Sequence, residues 1–419
     1  MRVLYSLMLY LSLPWVLLRL WGRGVRIPGY RRHWAERLGR SEAPTGALCI
    51  HAVSVGEVRA AQPLVEALRR RWPQTPLVIT TTTPTGRETA GGLFGPGLRC
   101  VYLPYDLPGA VNRFVGRLSP IAFLVMETEI WPNLYRALEA RGIPLLLANA
   151  RLSARSERGY RRFGGLMRST LRCVRWICAQ SRQDARRFID LGARPQRVIV
   201  AGNLKFDASL PAGFSARVSA IRARLAAQRS IWAAGSTHSG EEMQVLAAHT
   251  RILQRFEDAL LLLAPRHPER AGELARLCER ARLACRLYSD MQPVQDGVQV
   301  LIVDTLGELA ALYGAADAAF VGGSLVARGG HNPIEALLAG TPVLSGPHVG
   351  NFQAVYEELM HHGAVQEVGN EADLAARLID WLGNPERRRS CAAAGQRVIE
   401  RHRGAAENIV RCLETVLSD

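Results

Sequence analysis

The stretch Cys49-Ile50-His51-Ala52-Val53-Ser54-Val55-Gly56-Glu57 sets the pattern on which the fold depends. An apolar run of strand length ends in small and polar residues, and a helix-length amphipathic segment follows it. The same alternation recurs along the chain, with seven apolar runs between residues 49 and 200 and seven more between 231 and 368. Strands that alternate with helices in this way are typical of parallel sheets. The sequence therefore predicts an α/β protein with two doubly wound domains in tandem.

The length of the chain agrees with two domains. Its 419 residues, 48% of them hydrophobic, exceed what one hydrophobic core usually supports. A polar, helical segment at residues 215–229 separates the two series of apolar runs. We therefore place the first domain at residues 47–210 and the second at residues 211–419.

Charge and cysteine content limit the possible partners and the compartment. A net charge of +16 calls for an acidic partner, which is a nucleic acid, an anionic membrane or a phosphorylated substrate, and charge alone does not choose among them. The eight cysteines have neither C-x-x-C nor histidine-paired zinc spacing. We therefore expect a reducing compartment and no metal site.

The N-terminal residues predict a membrane anchor at residues 1–22. The charge-free apolar run from Val3 to Leu18 would reach roughly 24 Å as a helix, slightly short of a ~30 Å hydrocarbon core, and Pro14 is expected to interrupt it. A cleaved signal peptide is the alternative, but no small-x-small cleavage site follows. An uncleaved anchor is favoured.

A basic segment at residues 23–46 follows the anchor. Seven arginines lie between Arg19 and Arg40, with aromatic residues among them. This composition is typical of a segment on the cytoplasmic face of an anionic bilayer, and the positive-inside rule keeps the rest of the chain in the cytoplasm. A merely solvated basic helix is the alternative, but it does not explain the interleaved aromatic residues.

Acidic residues follow two of the apolar runs in the first domain. Glu57 would open the helix after the first strand, where it either complements the helix dipole or acts as a base at a strand exit. Glu127 and Glu129 follow the fourth strand, and on an extended chain they would share one face. At least one of this pair is expected to point into the site.

Two stretches of the second domain suit a phosphate. Arg266 follows a very apolar strand, although a surface arginine is the alternative in so arginine-rich a chain. In Arg328-Gly329-Gly330-His331-Asn332-Pro333-Ile334-Glu335 the glycines allow close approach of a ligand, Asn332 suits an N-cap and Pro333 suits the first helical position. The predicted helix N-terminus would bind an anion, and Glu335 would accept from ribose hydroxyls or form a capping box.

Lys205 is the only lysine among the 53 Lys and Arg residues. A chain that uses arginine almost everywhere is expected to keep lysine where a compact ammonium is needed, although chance survival of one lysine is the alternative. Its position at a strand end near the domain boundary favours a role in the site.

Several of these motifs together resemble one enzyme family. From the N-terminal helix to the last helices, the sequence is similar to the 3-deoxy-D-manno-octulosonic acid (Kdo) transferases of lipopolysaccharide assembly. The similarity is carried by residues 51–57, Thr83-Pro84-Thr85-Gly86, residues 102–108, residues 126–133, Ala148-Asn149-Ala150-Arg151-Leu152-Ser153 and Gly330-His331-Asn332-Pro333.

This resemblance implies a fold, a reaction and a set of site residues. The fold is two Rossmann-like domains of the GT-B glycosyltransferase type, and the reaction transfers Kdo from CMP-Kdo to a lipid A precursor, lipid IVA, with inversion and without a metal or other cofactor. The implied base is Glu57, and Glu127 and Lys205 are implied to stabilise the transition state. The implied CMP-binding residues are Pro265, Arg266, Leu306, Gly307, Glu308, Asn332, Pro333, Ile334 and Glu335.

The implied setting is the cytoplasmic side of the inner membrane, with an anionic membrane and the lipid acceptor as partners. A GT-B enzyme that uses a UDP-sugar on a lipid is the nearest alternative. A membrane-tethered nucleic-acid-binding protein would also be basic, but no helix-turn-helix, zinc or aromatic RNA-binding signature is present. A non-catalytic scaffold would leave Glu57, Glu127 and Lys205 without a reason to lie at strand ends.

Overall fold

The computed structural model describes residues 1–225, 228–290 and 297–418. It contains two compact units. The first combines Met1–Ala208 with the chain from His402 onward, and the second is Ser209–Arg401. Each unit is built around one seven-stranded sheet in which the pairings are parallel, so the predicted pair of doubly wound α/β domains is confirmed.

The first unit has the strand order β3-β2-β1-β4-β5-β6-β7. Alternate residues of the central strands enter two hydrophobic clusters on opposite faces, as Leu48 and Cys49 do in β1, so helices cover both faces. The strands are β1 Leu48–His51, β2 Leu77–Thr81, β3 Arg99–Tyr102, β4 Ala122–Met126, β5 Leu145–Ala150, β6 Trp176–Ala179 and β7 Val198–Val200. The helices are α1 Arg2–Arg26, α2 Trp34–Arg37, α3 Val55–Ala60, α4 Gln62–Arg71, α5 Pro84–Phe94, α6 Pro108–Leu118, α7 Pro132–Glu139, α8 Ala154–Arg161, α9 Gly164–Leu171 and α10 Arg182–Asp190.

The second unit repeats this plan with the order β10-β11-β9-β8-β12-β13-β14. Its strands are β8 Ile231–Thr237, β9 Leu260–Pro265, β10 Cys285–Leu287, β11 Val300–Ile302, β12 Ala318–Val321, β13 Val343–Ser345 and β14 Val365–Glu367. Its helices are α11 Phe214–Arg224, α12 Glu242–Leu253, α13 Ala271–Arg280, α14 Leu309–Ala315, α15 Ile334–Leu338, α16 Gln353–His361, α17 Glu371–Gly383 and α18 Pro385–His402. Short 3-10 helices at Pro28–Arg31, Pro195–Arg197, Leu204–Asp207, Pro268–Arg270, Tyr288–Asp290 and Gly350–Phe352 complete the two units.

Each sheet has one point where the strand order reverses. In the first sheet β1 pairs with both β2 and β4, and in the second β8 pairs with both β9 and β12. The connections on either side of such a point run in opposite directions, which leaves a crevice beyond the carboxyl ends of the two strands. Ligand-binding residues are therefore expected after β1 and β4 in the first unit and after β8 and β12 in the second.

The last helix changes the predicted domain boundaries. Helix α19, Ala405–Ser418, packs on α4 and adds Ala406, Ile409 and Leu413 to a core of the first unit. The chain also divides at Ala208 and Ser209 rather than at residues 210 and 211. Assigning all of residues 211–419 to the second domain was therefore wrong, because the apolar face of α19 is buried against the first sheet's helices.

The N-terminal segment also differs from the prediction. Helix α1 runs through Pro14 without a break and extends beyond residue 22, to Arg26. At ~1.5 Å per residue it reaches roughly 37 Å, and it is long and apolar enough to cross a membrane. The following segment is not only a surface element, because Glu36 and Arg37 are buried in the first unit and the Glu36 carboxylate accepts hydrogen bonds from Arg87 and the Tyr102 N–H.

Candidate active site

Glu57 lies one turn into the helix that follows β1. The Val53 N–H donates to Glu57 Oε2 at 2.9 Å, the Ser54 hydroxyl donates to Oε1 at 3.3 Å, and the Glu57 N–H donates to Ser54 Oγ at 3.5 Å. This arrangement resembles a capping box, so the carboxylate has a structural use as well as its place at the strand exit. The pKa of Glu57 is raised to about 8. Burial is the largest cause, the Val53 hydrogen bond opposes it, and the charges of Glu127 and Glu129 add to the rise.

Glu127 follows β4 in a backbone conformation that is rare outside glycine. Its φ is +56°, which for a non-glycine residue costs about 1–3 kcal/mol and is concentrated at functional sites. Arg151 Nε donates to Glu127 Oε2 at 2.7 Å. The chain turns at Glu127 rather than continuing as a strand, so the reason given for Glu127 and Glu129 sharing one face, an extended backbone, was wrong.

Glu129 is nevertheless part of the same acidic group. It lies close enough to Glu57 for its charge to raise the pKa of that carboxyl. Burial, and then the charge of Glu127, raise the pKa of Glu129 itself. Three carboxylates therefore meet at the point where the order of the first sheet reverses, and at least one of them is driven towards its protonated form.

Lys205 joins this group from the segment that follows β7, the edge strand of the sheet. It lies in the 3-10 helix Leu204–Asp207 after β7, and its N–H donates to Asn203 Oδ1 at 3.1 Å. Burial lowers the pKa of the ammonium group to about 8, while Glu127 raises it and Arg151 lowers it. The lone lysine, Glu127 and Arg151 therefore form one electrostatic cluster.

Two residues outside the predicted set hold the lysine segment in place. Asn149, fully buried with φ +53°, accepts the Leu204 N–H through Oδ1 at 3.1 Å. The Asp207 carboxylate accepts the N–H groups of Gly404 and Ala406 at 2.7 and 2.6 Å, where α19 begins. The position of Lys205 thus depends on β5 and on the last helix.

In the second unit, a glycine-rich segment follows β12 at the corresponding reversal of strand order. Gly323 and Gly330 have φ of +68° and +70°, and the Gly330 N–H donates to the Gly323 carbonyl at 2.8 Å. The buried Glu241 carboxylate accepts the N–H groups of His238 and Gly323 at 2.8 and 2.6 Å. These contacts fix the backbone where a ligand would approach it.

A cluster of imidazole rings lies beside this segment. The rings of His238 and His331 stack with centroids 5.2 Å apart and their Nε2 atoms 2.9 Å apart, and His267 meets His238 edge to face. Burial lowers the pKa of His331 to about 4, helped by His238, Arg266 and His267. Arg266 is exposed just after β9 and close enough to affect this histidine.

The predicted CMP-binding residues lie at the end of β9, in the loop before α14, and at the start of α15. Helix α15 begins at Ile334, so Pro333 is its N-cap rather than its first residue, and Asn332 Oδ1 accepts the Ile334 N–H at 3.2 Å. Leu306 is 79% exposed, Gly307 has φ +85°, and Glu308 forms an ion pair with Arg217. Pro265 is buried at the end of β9. The binding roles of all nine residues stay predictions.

Comparison with known proteins decides the family. Residues 32–208 match the family described as 3-Deoxy-D-manno-octulosonic-acid transferase (kdotransferase), and residues 288–398 match glycosyl transferases group 1. The 3-deoxy-D-manno-octulosonic acid transferase of Haemophilus influenzae is 37% identical over 421 residues, with 99% of each chain covered. This chain belongs to the 3-deoxy-D-manno-octulosonic acid transferase family. The resemblance seen in the sequence is confirmed.

Other relatives agree with this family and with its fold. The 3-deoxy-D-manno-octulosonic acid transferase of Bordetella pertussis is 38% identical over 433 residues, again with 99% of each chain covered. The UDP-GlcNAc 2-epimerase of Neisseria meningitidis superposes with a TM-score of 0.59 at 14% identity, covering 88% of this chain and 99% of that one. That likeness shows a shared two-domain fold, and the family relatives make the chain a glycosyltransferase.

Two features of the site were not predicted from the sequence. Sequence reasoning missed Arg151, the partner of Glu127, although Arg151 stood in one of the motifs that carried the resemblance. It also missed the histidine cluster, whose members lie far apart in the chain and meet only because parallel strands end at one edge. Within residues 1–225, 228–290 and 297–418, no group of three His, Cys, Asp or Glu side chains is arranged to hold a metal.

Proposed function

We propose that this enzyme transfers Kdo from CMP-Kdo to lipid IVA or a similar lipid A precursor, with inversion and without a metal, in lipopolysaccharide synthesis. One observation carries the chemistry. Glu57, Glu127 and Lys205, from three separate parts of the sequence, interact electrostatically where the strand order of the first sheet reverses. A carboxylate of raised pKa beside a charged pair is the arrangement that general-base chemistry needs.

In the proposed reaction, Glu57 takes the proton from a hydroxyl of the acceptor sugar. The oxygen of that hydroxyl forms a bond to the anomeric carbon of Kdo as the bond from that carbon to the phosphate oxygen of CMP breaks. The bonding electrons leave with the phosphate, and the proton stays on Glu57. A single displacement of this kind inverts the anomeric centre. The pKa of about 8 makes Glu57 a stronger base than an ordinary glutamate.

Cationic groups stabilise the charges in this step. Lys205 is proposed to hold the Kdo carboxylate or the charge that develops on the departing phosphate, with Glu127 and Arg151 fixing its position. Arg266 and the segment from Asn332 to Glu335 are proposed to bind CMP in the second unit. Because CMP leaves as a stable phosphate, neither a strong acid nor a metal ion is needed to expel it.

A membrane-embedded acceptor would account for the net positive charge of the chain and for the exposed apolar residues of its N-terminal helix. Helix α1 presents exposed apolar side chains, among them Leu7, Leu11 and Leu18, and arginines follow at Arg19 and Arg23. We propose that α1 attaches the enzyme to the cytoplasmic side of the inner membrane, where a bisphosphorylated lipid acceptor is embedded. The net charge of +16 suits both an anionic membrane and this acceptor.

Mass spectrometry tests the proposed reaction directly. The enzyme is incubated with lipid IVA and CMP-Kdo, and in parallel with a UDP-sugar donor. Kdo-bearing lipid is expected with CMP-Kdo alone, and the spectrum also counts the sugars added. Transfer from the UDP-sugar and none from CMP-Kdo would contradict the proposal.

A further inference from the structure

A cavity of about 330 Å³ separates α1 from the carboxyl ends of the first strands. Its volume lies within the range of small-molecule binding sites. Its wall includes Trp15, Arg19 and Arg23 of α1, Arg37 of α2, and Glu129 and Trp131 after β4. Three arginines thus face one carboxylate, and the cavity carries excess positive charge.

Arg37 is the unusual member of this wall. Its side chain is only 3% exposed, its Nη1 donates to the Thr82 carbonyl at 3.1 Å, and its guanidinium lies 3.9 Å from the centre of the Tyr102 ring. Among the described residues, its Nε and Nη2 atoms have no hydrogen-bond partner of good geometry, although the Tyr105 hydroxyl lies close enough for the Arg37 charge to affect its pKa. A buried cation with unused donors is costly, and an anion in the cavity would remove that cost.

Within the part of the chain that the structure describes, no carboxylate forms an ion pair with Arg37. Glu36, next to Arg37 in the chain, is already bound to Arg87 and to the Tyr102 N–H. Glu129 lines the cavity, but the groups that shift its pKa are Glu127, which raises it together with burial, and Trp131, whose hydrogen bond lowers it. The Nε and Nη2 N–H groups lie on one edge of the guanidinium, and such an edge matches the paired oxygens of a phosphate.

The cavity is also next to the proposed base. Val53 forms part of its wall, and the Val53 N–H is the group that donates to Glu57 Oε2. The Val53 carbonyl accepts the hydroxyls of Thr81, Thr82 and Thr83 at 2.9, 3.4 and 3.2 Å, so this wall is held firmly. The cavity therefore adjoins the backbone that holds the Glu57 carboxylate.

Resting on the proposed function, we propose that this cavity binds a phosphate of the acceptor lipid's head group, between Arg37 and the two arginines of α1. Helix α1 is then part of the acceptor site and not only a means of attachment. Trp15 of α1 lines the cavity, and both Trp15 and Leu18 are exposed. A polar site beside exposed apolar residues suits a lipid with a phosphorylated sugar head group and apolar acyl chains.

Steady-state kinetics with matched lipids tests this proposal in the full-length enzyme. The acceptors are lipid IVA and its two monodephosphorylated forms, lacking either the 1- or the 4′-phosphate. For wild type, we expect KM to rise about 10- to 100-fold when one of these phosphates is absent, the usual effect of a charge-assisted hydrogen bond. Arg37→Gln should raise KM for lipid IVA to that level and leave KM for that dephosphorylated lipid within about twofold.

Two further variants distinguish loss of the phosphate site from a general effect on folding. Arg37→Gln affects a buried residue, so the double variant Arg19→Ser/Arg23→Ser, on exposed positions of α1, is measured beside it and should also reduce the discrimination. Arg70→Ser removes an exposed arginine of α4, paired with Glu407 and outside the cavity, and should leave the discrimination unchanged.

Equilibrium binding of the same detergent-solubilised lipids gives a readout that does not need turnover. If wild type binds the lipids in a phosphate-dependent manner and the cavity variants do not, the proposed site is supported. This holds even if no sugar is transferred, and only the proposed reaction would then be wrong. Equal KM and equal binding for all three lipids in wild type would overturn the inference. The inference would also be overturned if inorganic phosphate bound in an Arg37-dependent manner while the three lipids bound equally. The ligand of the cavity would then be free phosphate.

Discussion

Replacing Glu57 by glutamine separates the two uses of this side chain. Glutamine keeps the size of glutamate and can still accept the Val53 N–H, so the start of α3 should be preserved. It cannot accept a proton from the acceptor hydroxyl. We expect turnover to fall by about 10² to 10⁴, the usual contribution of a positioned general base, while CMP binding is retained.

The stability of the same variant should depend on pH in a definite direction. The folded-state pKa of Glu57, about 8, lies above the 4.5 of an ordinary glutamate, so folding favours the protonated form. The wild type therefore loses stability as pH rises from about 4.5 to about 8, by about 5 kcal/mol at most, and the glutamine variant does not. Allowing for glutamine's weaker hydrogen bonds, we expect Glu57→Gln to be about 1 to 3 kcal/mol more stable than wild type at pH 9 and nearly equal at pH 6.

Thermal unfolding at pH 6 and pH 9, together with initial rates, checks both expectations. Glu66→Gln is the matched control, because Glu66 is a half-buried glutamate of α4 that accepts a hydrogen bond from Gln62 outside the site. If Glu57→Gln kept nearly wild-type turnover and melted at a lower temperature at both pH values, Glu57 would be a capping residue and the proposed base would be wrong.

Four other measurements address the rest of the site. Lys205→Arg should lower turnover by orders of magnitude with little change in melting temperature, because a forked guanidinium displaces reacting atoms in a compact site; an equally active variant would make the lone lysine an accident of sequence. The pH profile of kcat/KM should be a narrow bell near pH 8, since activity needs Glu57 deprotonated and Lys205 protonated and both pKa values are about 8; a flat profile from pH 6 to 10 would contradict this. Asp207→Ala should lower the free energy of unfolding of the first unit by about 1 to 2 kcal/mol, as the loss of a helix cap does, and unchanged denaturant midpoints would refute it. Activity should persist in excess EDTA, and a strict need for added Mg²⁺ would overturn the metal-free mechanism.

The architecture could be predicted because the strands of parallel sheets have a recognisable local sequence pattern. Strands buried on both faces, such as β4 and β9, read as continuous apolar runs, and all fourteen predicted runs overlap observed strands. Polar residues directly after those runs, including Glu57, Glu127 and Arg266, then identify the functional edge of each sheet.

Features that depend on distant contacts could not be predicted in this way. The apolar face of α19 shows that the helix is buried but not against which core. Arg37 looks like one of many basic residues until the fold encloses it, and the left-handed turn at Glu127 has no glycine to indicate it. In each case the missing information is a tertiary neighbour.

The return of α19 to the first unit also has a consequence for how the protein is made. A ribosome adds about 5–20 residues per second, so the 209–401 segment takes roughly 10 to 40 s to synthesise after the first unit's strands have emerged. Throughout that interval the apolar surface of α4 that α19 covers is exposed to solvent. The segment after β7 that carries Lys205 also lacks the hydrogen bonds from the start of α19 to Asp207. The half that is translated first is thus completed last, and nascent chains should be substrates for holding chaperones until residue 413 has been released.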